Sequence, residues 1–241
     1  MALLKVTALS KSFGGLDAVN NVTFDVKQGQ IVGVIGPNGA GKSTLFAVLT
    51  GFYSATKGDW TLDGHSLKGL APEVICSRGL VRTFQIVQPF PSLTVRENVM
   101  VAAVHRSSSR KQAEEFANEA LHWVGLDVKA DQKIGSLTLI DKKALEMAKA
   151  CATGARIILL DEVMAGLRPV EVERVVQTIL KLRRECAMTF LIVEHLMDAV
   201  MALSDKIVVL NFGSMLAQGT PEEIRRDPKV LEAYLGVGVD A

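Results

Sequence analysis

The sequence predicts an α/β fold: a mostly parallel sheet, an antiparallel β segment ahead of it, and a helical insertion within it. Three observations lead there. Short apolar, β-branched runs recur at Gln30–Ile35, Ile157–Leu160, Thr189–Val193 and Lys206–Leu210, and such runs suit strands buried on both faces. Helical spacing fills the intervals between the later runs, and strands alternating with helices imply a parallel sheet with helices on its faces. Before the first run, Leu4, Val6 and Ala8, then Val22, Phe24 and Val26, alternate with polar residues, as in half-buried antiparallel strands.

The elements follow in order. The first ~30 residues form two or three strands. Gln28-Gly29-Gln30 turns into the run that ends at Ile35, and Thr44–Thr50 reads as a helix. Turns at Lys57-Gly58-Asp59 and Asp63-Gly64 flank a strand that begins at Trp60. From about Ser92 to Ala152 the pattern is helical. Ser107–Lys111 is polar and reads as a loop, and Ala113, Phe116, Ala117, Ala120, Leu121 and Val124 recur at helix spacing. Thr138-Leu-Ile-Asp141 resembles a capping box at the start of the next helix. Helices are expected from about Val170 to Cys186 and from about Leu196 to Ala202. Phe212-Gly-Ser214 reads as a hairpin turn, and Thr220-Pro-Glu-Glu223 combines a capping Thr, Pro at the first helical position and a Glu that closes the box.

Composition narrows the functional classes. A chain of 241 residues can bury a substantial core without staples. Its net charge of +1 gives no global pull toward nucleic acid or an anionic membrane surface. Cys76, Cys151 and Cys186 are far apart and form no C-x-x-C, which argues against a disulfide framework or a metal cluster. No apolar run approaches the roughly 18–20 residues needed to span a bilayer. Lys5 and Lys11 interrupt any secretory signal, so the chain is not expected to enter a membrane by itself. Its 49% hydrophobic content fits either a large core or apolar surface reserved for partner subunits.

Residues 36–44 read Gly36-Pro37-Asn38-Gly39-Ala40-Gly41-Lys42-Ser43-Thr44. This matches G-x-x-x-x-G-K-[ST], the phosphate-binding P-loop. A nucleotide triphosphate carries several negative charges that need donors at close range. Glycines let the backbone bend tightly and aim its N–H groups inward. Lys42 brings a full positive charge toward the β- and γ-phosphates, and Ser43 a hydroxyl for Mg²⁺. A strand before the loop and a helix after it place a helix N-terminus against the phosphates.

A second group of residues completes a phosphate-transfer site. Ile157–Leu160 ends in Asp161-Glu162. Asp161 can hold Mg²⁺ or its water shell, and Glu162 can orient an attacking water or accept its proton. Taken alone, such a strand end is as often plain surface; the upstream loop gives it meaning. His195 follows another apolar run and could reach a γ-phosphate. Gln85, in Thr83-Phe84-Gln85, could contact both the metal and the water. Phe13 could stack on a nucleobase, although a lone Phe is more often core.

With these residues in place, the chain resembles the ATP-binding subunit of an ABC transporter. Phe13, Gly36–Thr44, Gln85, Asp161-Glu162 and His195 stand in that family's order and spacing, and the likeness runs from Leu3 to Gly236. Residues 10–19, Arg82–Gln85, Ala165–Leu167 and Glu232–Gly236 resemble the branched-chain amino acid import group within it. The resemblance implies a P-loop NTPase (RecA-like) core over residues 3–236, with the helical subdomain inserted at about 90–152. It places Val19 with Phe13 among the nucleotide-binding residues. Two such subunits, identical or different, would pack head to tail around ATP and Mg²⁺, each completing the other's site through a signature loop that here includes Thr138. Two membrane permease subunits would dock on them and a solute-binding protein would take part indirectly, with no nucleic acid involved. The location implied is cytoplasmic, peripheral on the inner face of the cell membrane.

The sequence also departs from that family. The usual signature Leu-Ser-Gly-Gly-Gln is Leu137-Thr138-Leu139-Ile140-Asp141 here. Ile140 replaces a glycine that permits close backbone approach, and Asp141 replaces a neutral amide. Val163 replaces a Pro after the acidic pair, and Arg168 replaces an Asp or Asn. One reading keeps full hydrolysis, because backbone N–H groups and the helix dipole do most of the task. The other reading makes this loop weak and sets it opposite the nucleotide held by a different partner subunit, in a heterodimer with one strong and one weak site; the alternative function is an ATP-switched dimerisation module with weak turnover at a degenerate signature site. A small-molecule kinase would share the P-loop but leave Gln85 and His195 without purpose.

Overall fold

A computed structural model of the chain describes residues 2–84 and 87–235. Its elements, in chain order, are β1 (Ala2–Phe13), β2 (Leu16–Lys27), β3 (Ile31–Ile35), α1 (Lys42–Leu49), β4 (Lys57–Leu62), β5 (His65–Ser66), α2 (Pro72–Ser77), β6 (Leu80–Arg82), α3 (Val95–Ala103), α4 (Arg110–Val124), α5 (Leu139–Ala152), β7 (Ile157–Asp161), α6 (Pro169–Cys186), β8 (Thr189–Val193), α7 (Met197–Leu203), β9 (Lys206–Asn211), β10 (Ser214–Gly219), α8 (Pro221–Arg226) and α9 (Pro228–Leu235). They divide into two compact units, one formed by Met1–Ile75 with Thr189–Ala241, the other by Cys76–Met188.

The first unit contains two sheet regions. Strands β2-β1-β4-β5 form an antiparallel sheet. Strand β3 pairs in parallel with β8 on one side and β9 on the other, and β10 adds antiparallel to β9. Every residue of β3 and β8 is buried, which is why both read as unbroken apolar runs rather than alternating ones. Gly33 sits mid-strand for a packing reason. A Cβ there would lie 2.7 Å from Val200 Cγ1 and 2.8 Å from Ser204 Oγ, so glycine lets α7 close onto β3. Ile35, Val200, Ile207, Val209, Ile224 and Val230 form one buried cluster that fastens α7, α8 and α9 to the sheet. Each such side chain contributes about 1.5–3 kcal/mol by leaving water. Trp60 is buried, and its indole N–H donates to the Leu49 carbonyl at 3.0 Å, tying β4 to the end of α1.

The second unit contains the parallel pair β6–β7 and helices α3 to α6. Helices α3, α4 and α5 pack on one another through Val99, Ala103, Ala113, Ala117, Ala120, Leu121, Leu145 and Ala148, all buried. The small residues let the helix backbones approach closely. The Arg106 guanidinium lies over the Phe116 ring, 3.6 Å from its centroid.

Most elements lie where the sequence puts them, with two kinds of departure. The segment Ser107–Lys111 is not wholly loop: Ser109 accepts from the Gln112 amide at 3.2 Å, and this cap starts α4 at Arg110. Elements without a periodic signature also emerge, among them α2, the three-residue β6 and the terminal helix α9.

Candidate functional site

The phosphate loop grows out of β3. Gly36 has φ +153°, and a Cβ on it would lie 2.1 Å from the Leu210 carbonyl oxygen. Gly41 caps α1 with φ +99°, and a Cβ there would lie 2.2 Å from the Ala18 carbonyl oxygen. Only glycine fits either place. The loop is pinned from outside by the β9–β10 turn: the Gly213 amide donates to the Ala40 carbonyl at 3.1 Å, and the Gly213 carbonyl accepts from the Asn20 amide at 2.8 Å. Lys42 is nearly buried and curls back over the loop, donating to the carbonyls of Gly36 at 2.6 Å and Pro37 at 3.0 Å. Pro37 and Thr44 are half-buried, Ala40 is buried, and Asn38, Gly39 and Ser43 are exposed. The result is an anion cradle with a cation at its floor, at the N-terminus of an eight-residue helix.

Phe13 ends β1 with 42% of its surface exposed. It meets the Tyr53 ring edge-on at 5.2 Å, with the Lys11 ammonium 4.7 Å from its centroid. Val19 lies within β2, completely buried; it can support the loop's surroundings from the core but offers no surface to a base. His195 is exposed just beyond β8.

In the second unit, all five residues of β7 are buried, ending in Asp161. The Arg82 guanidinium donates to Asp161 Oδ2 at 2.5 Å, with the two side chains only 13% and 7% exposed. Thr83 adds a second tie, its hydroxyl oxygen accepting from the Asp161 amide at 3.3 Å. Glu162 stands in the left-handed region at φ +49°, a conformation that costs an ordinary residue of order 1–3 kcal/mol and is often kept where a side chain must point in one direction. Its carbonyl accepts from the Ala165 amide at 3.2 Å and from Lys143 Nζ at 3.4 Å. Val163, in the place of the expected Pro, is buried. Gln85 lies outside the described residues.

The altered signature turn has a defined structure. Thr138 is the N-cap of α5: its hydroxyl oxygen accepts from the Asp141 amide at 3.4 Å, and its amide donates to Asp141 Oδ2 at 3.0 Å. Lys129 Nζ donates to the same carboxylate oxygen at 2.7 Å. Burial pushes the Asp141 carboxyl up, but the bonds from Lys129 and Thr138 outweigh it and hold the group below its ordinary range. Ile140 is half-buried. Arg168 folds onto its own helix, its amide and guanidinium each donating to Glu171 at 2.9 Å.

Three residues with evident bearing on the site were not singled out from the sequence: Arg82, Lys129 and Tyr234. Tyr234 on α9 is pushed up by partial burial, an effect its hydrogen bond to the Gly36 backbone partly offsets, so the C-terminal helix touches the first glycine of the loop. A basic residue three positions before Gln85 could have drawn attention to Arg82. Nothing in the sequence links Lys129 to Asp141, or Tyr234 to Gly36.

A buried parallel strand, a glycine-walled turn with a buried lysine, and a helix beginning at that lysine define a P-loop nucleotide-binding protein. Within that class the chain belongs to the ABC transporter family of ATPases: the ABC transporter family model matches residues 19–165, and the model for branched-chain amino acid ATP-binding cassette transporters matches residues 214–240. It is 44% identical to the high-affinity branched-chain amino acid transport ATP-binding protein BraF of Pseudomonas aeruginosa, over 97% of this chain and 98% of that one. It is 42% identical to LivG of Escherichia coli, a protein of the same description, with the same coverage of both chains. Among solved structures, the ADP conformation of an ATP-binding cassette of an ABC transporter superposes with a TM-score of 0.88 at 31% identity, covering 98% of this chain and 100% of the other. The chain therefore has the α/β P-loop NTPase fold and binds nucleotide. Among the described residues, no helix is long and apolar enough to cross a membrane.

Proposed function

We propose that this chain is the ATP-hydrolysing subunit of an importer for branched-chain amino acids or related small hydrophobic solutes. One observation carries the solute class: identity above 40% to branched-chain amino acid transport ATP-binding proteins along nearly the whole chain, joined to the matching C-terminal segment at residues 214–240.

Residues 3–236 form the ATP-binding domain, with a helical subdomain of about residues 90–152 inserted in it. Gly36 to Thr44 bind the phosphates through backbone N–H groups and the α1 dipole, with Lys42 neutralising the β- and γ-oxygens. Phe13 receives the base. Glu162 orients the attacking water and accepts its proton; its left-handed backbone favours that reading. His195 holds the γ-phosphate.

A magnesium ion fits the donor set. The Ser43 hydroxyl, the Asp161 carboxylate and the Gln85 amide are hard oxygen donors, and this metal prefers one or two protein ligands plus phosphate oxygens and water. Its contribution when bound is to neutralise the charge of the phosphates.

The subunit works as a pair, with a second ATP-binding chain whose signature turn faces the nucleotide held here and whose own nucleotide faces Thr138. The pair sits on the inner face of the cell membrane against two permease subunits, which a solute-binding protein supplies. A second reading is favoured by Ile140 and Asp141: an ATP-switched dimer with weak turnover. The Glu162→Gln variant tests the main one. It should keep nucleotide binding, lose turnover by about 100-fold or more, and accumulate as an ATP-bound dimer. Hydrolysis at the parental rate would overturn the assignment of Glu162.

A further inference from the structure

Asp161 meets a cation in the structure already. Arg82 Nη2 lies 2.5 Å from Oδ2, and both side chains are almost entirely withdrawn from solvent. The guanidinium is not free to swing away. Its residue is held in β6 by parallel pairing opposite Leu159, the next amide, of Thr83, donates to the Leu159 carbonyl at 2.9 Å, and the guanidinium lies 5.5 Å from the Phe84 ring centroid. A divalent ion approaching Asp161 therefore finds one carboxylate oxygen committed and a fixed positive charge beside it. At such range and with little water between, like charges repel strongly enough to alter an equilibrium by an order of magnitude.

We propose that Arg82 is a positioning residue that acts through Asp161: it competes with Mg²⁺ for the carboxylate and so sets the magnesium concentration at which the metal tightens nucleotide binding. This rests on the reading of Asp161 as a metal ligand. The pairing serves two ends. It keeps a buried carboxylate compensated, and it fixes the rotamer of Asp161.

The test is a magnesium titration of fluorescent ADP bound to the full-length chain, compared among the parent, Arg82→Gln, Arg82→Lys and Asp161→Asn. In the parent, Mg²⁺ tightens nucleotide binding, and Asp161→Asn removes most of that effect. Arg82→Gln is expected to reach the half-effect at about tenfold lower Mg²⁺, with affinity in EDTA unchanged because Arg82 does not belong to the phosphate loop. Arg82→Lys keeps the charge but loses the planar fork, so its midpoint should fall by about threefold; it carries the test if Arg82→Gln does not fold. Unchanged or raised midpoints in the Arg82 variants, against a parental effect that Asp161→Asn abolishes, overturn the competition and leave the metal assignment standing. A parent indifferent to Mg²⁺ overturns both.

Discussion

Lys129 Nζ lies 2.7 Å from Asp141 Oδ2, the same oxygen that accepts from the Thr138 amide at 3.0 Å and the Thr138 hydroxyl at 2.7 Å. An acid in the signature turn would repel an incoming γ-phosphate; here a lysine twelve residues upstream offsets its charge. Lys129→Met should therefore lower steady-state ATP hydrolysis, by about 5–10-fold given a single partly exposed charge. Adding Asp141→Gln, which removes the acid, should restore most of the loss. A coupled ATPase assay on the two single variants and the double variant checks this; additive defects would count against it.

The same pair predicts behaviour in acid. The folded Asp141 carboxyl sits below its ordinary value of 3.8, so the native chain binds fewer protons there than the unfolded one. Its contribution to stability is full above that ordinary value and is lost as pH falls through the lower, folded value. Urea melts at several pH values from about 5 to about 3 should show a steeper loss for the parent than for Asp141→Asn.

Glycine substitutions in the phosphate loop should separate by geometry. Gly41→Ala places a methyl group 2.2 Å from the Ala18 carbonyl oxygen at φ +99°, whereas nothing lies within 4 Å of a Cβ at Gly39. Gly41→Ala should cost about 2–4 kcal/mol in chemical denaturation and abolish nucleotide binding. Gly39→Ala, strained only by its φ of +80°, should cost about 1 kcal/mol.

The Cys151 thiol should be inert in the native chain. Burial, with some help from Cys186, pushes Cys151 up to about 12, and burial also raises Cys76 and Cys186. At pH 8 a disulfide reagent should label Cys151 slowly in the native protein, and all 3 cysteines promptly in denaturant. Fast native labelling of Cys151 would contradict its burial.

The phosphate loop was legible from sequence because its requirements are local: glycine where a Cβ would strike Leu210 or Ala18, and a lysine placed to fold over the loop. Strands β3, β7 and β8 were legible because burial on both faces writes itself as an apolar run. Strand β6 was not, since three residues carry no period, and its existence depends on pairing with β7. Arg110 and Lys111 looked like loop because they precede the apolar stripe that begins at Ala113, and the Ser109 cap draws them into the helix. The ion pair of Arg82 with Asp161 spans 79 residues, and no local pattern encodes it. Val19, grouped by resemblance with the nucleotide-binding residues, is a core residue of β2.

We propose that Gly36–Thr44 and Asp161 serve one magnesium–triphosphate. Calorimetric titration of the purified chain with Mg-ATP, alongside Lys42→Ala and Asp161→Asn, decides the matter. Saturable binding by the parent is expected, weakened at least about 30-fold by Lys42→Ala, with a magnesium dependence that Asp161→Asn removes. No heat of binding from the folded parent, or a magnesium dependence untouched by Asp161→Asn, would overturn the proposal.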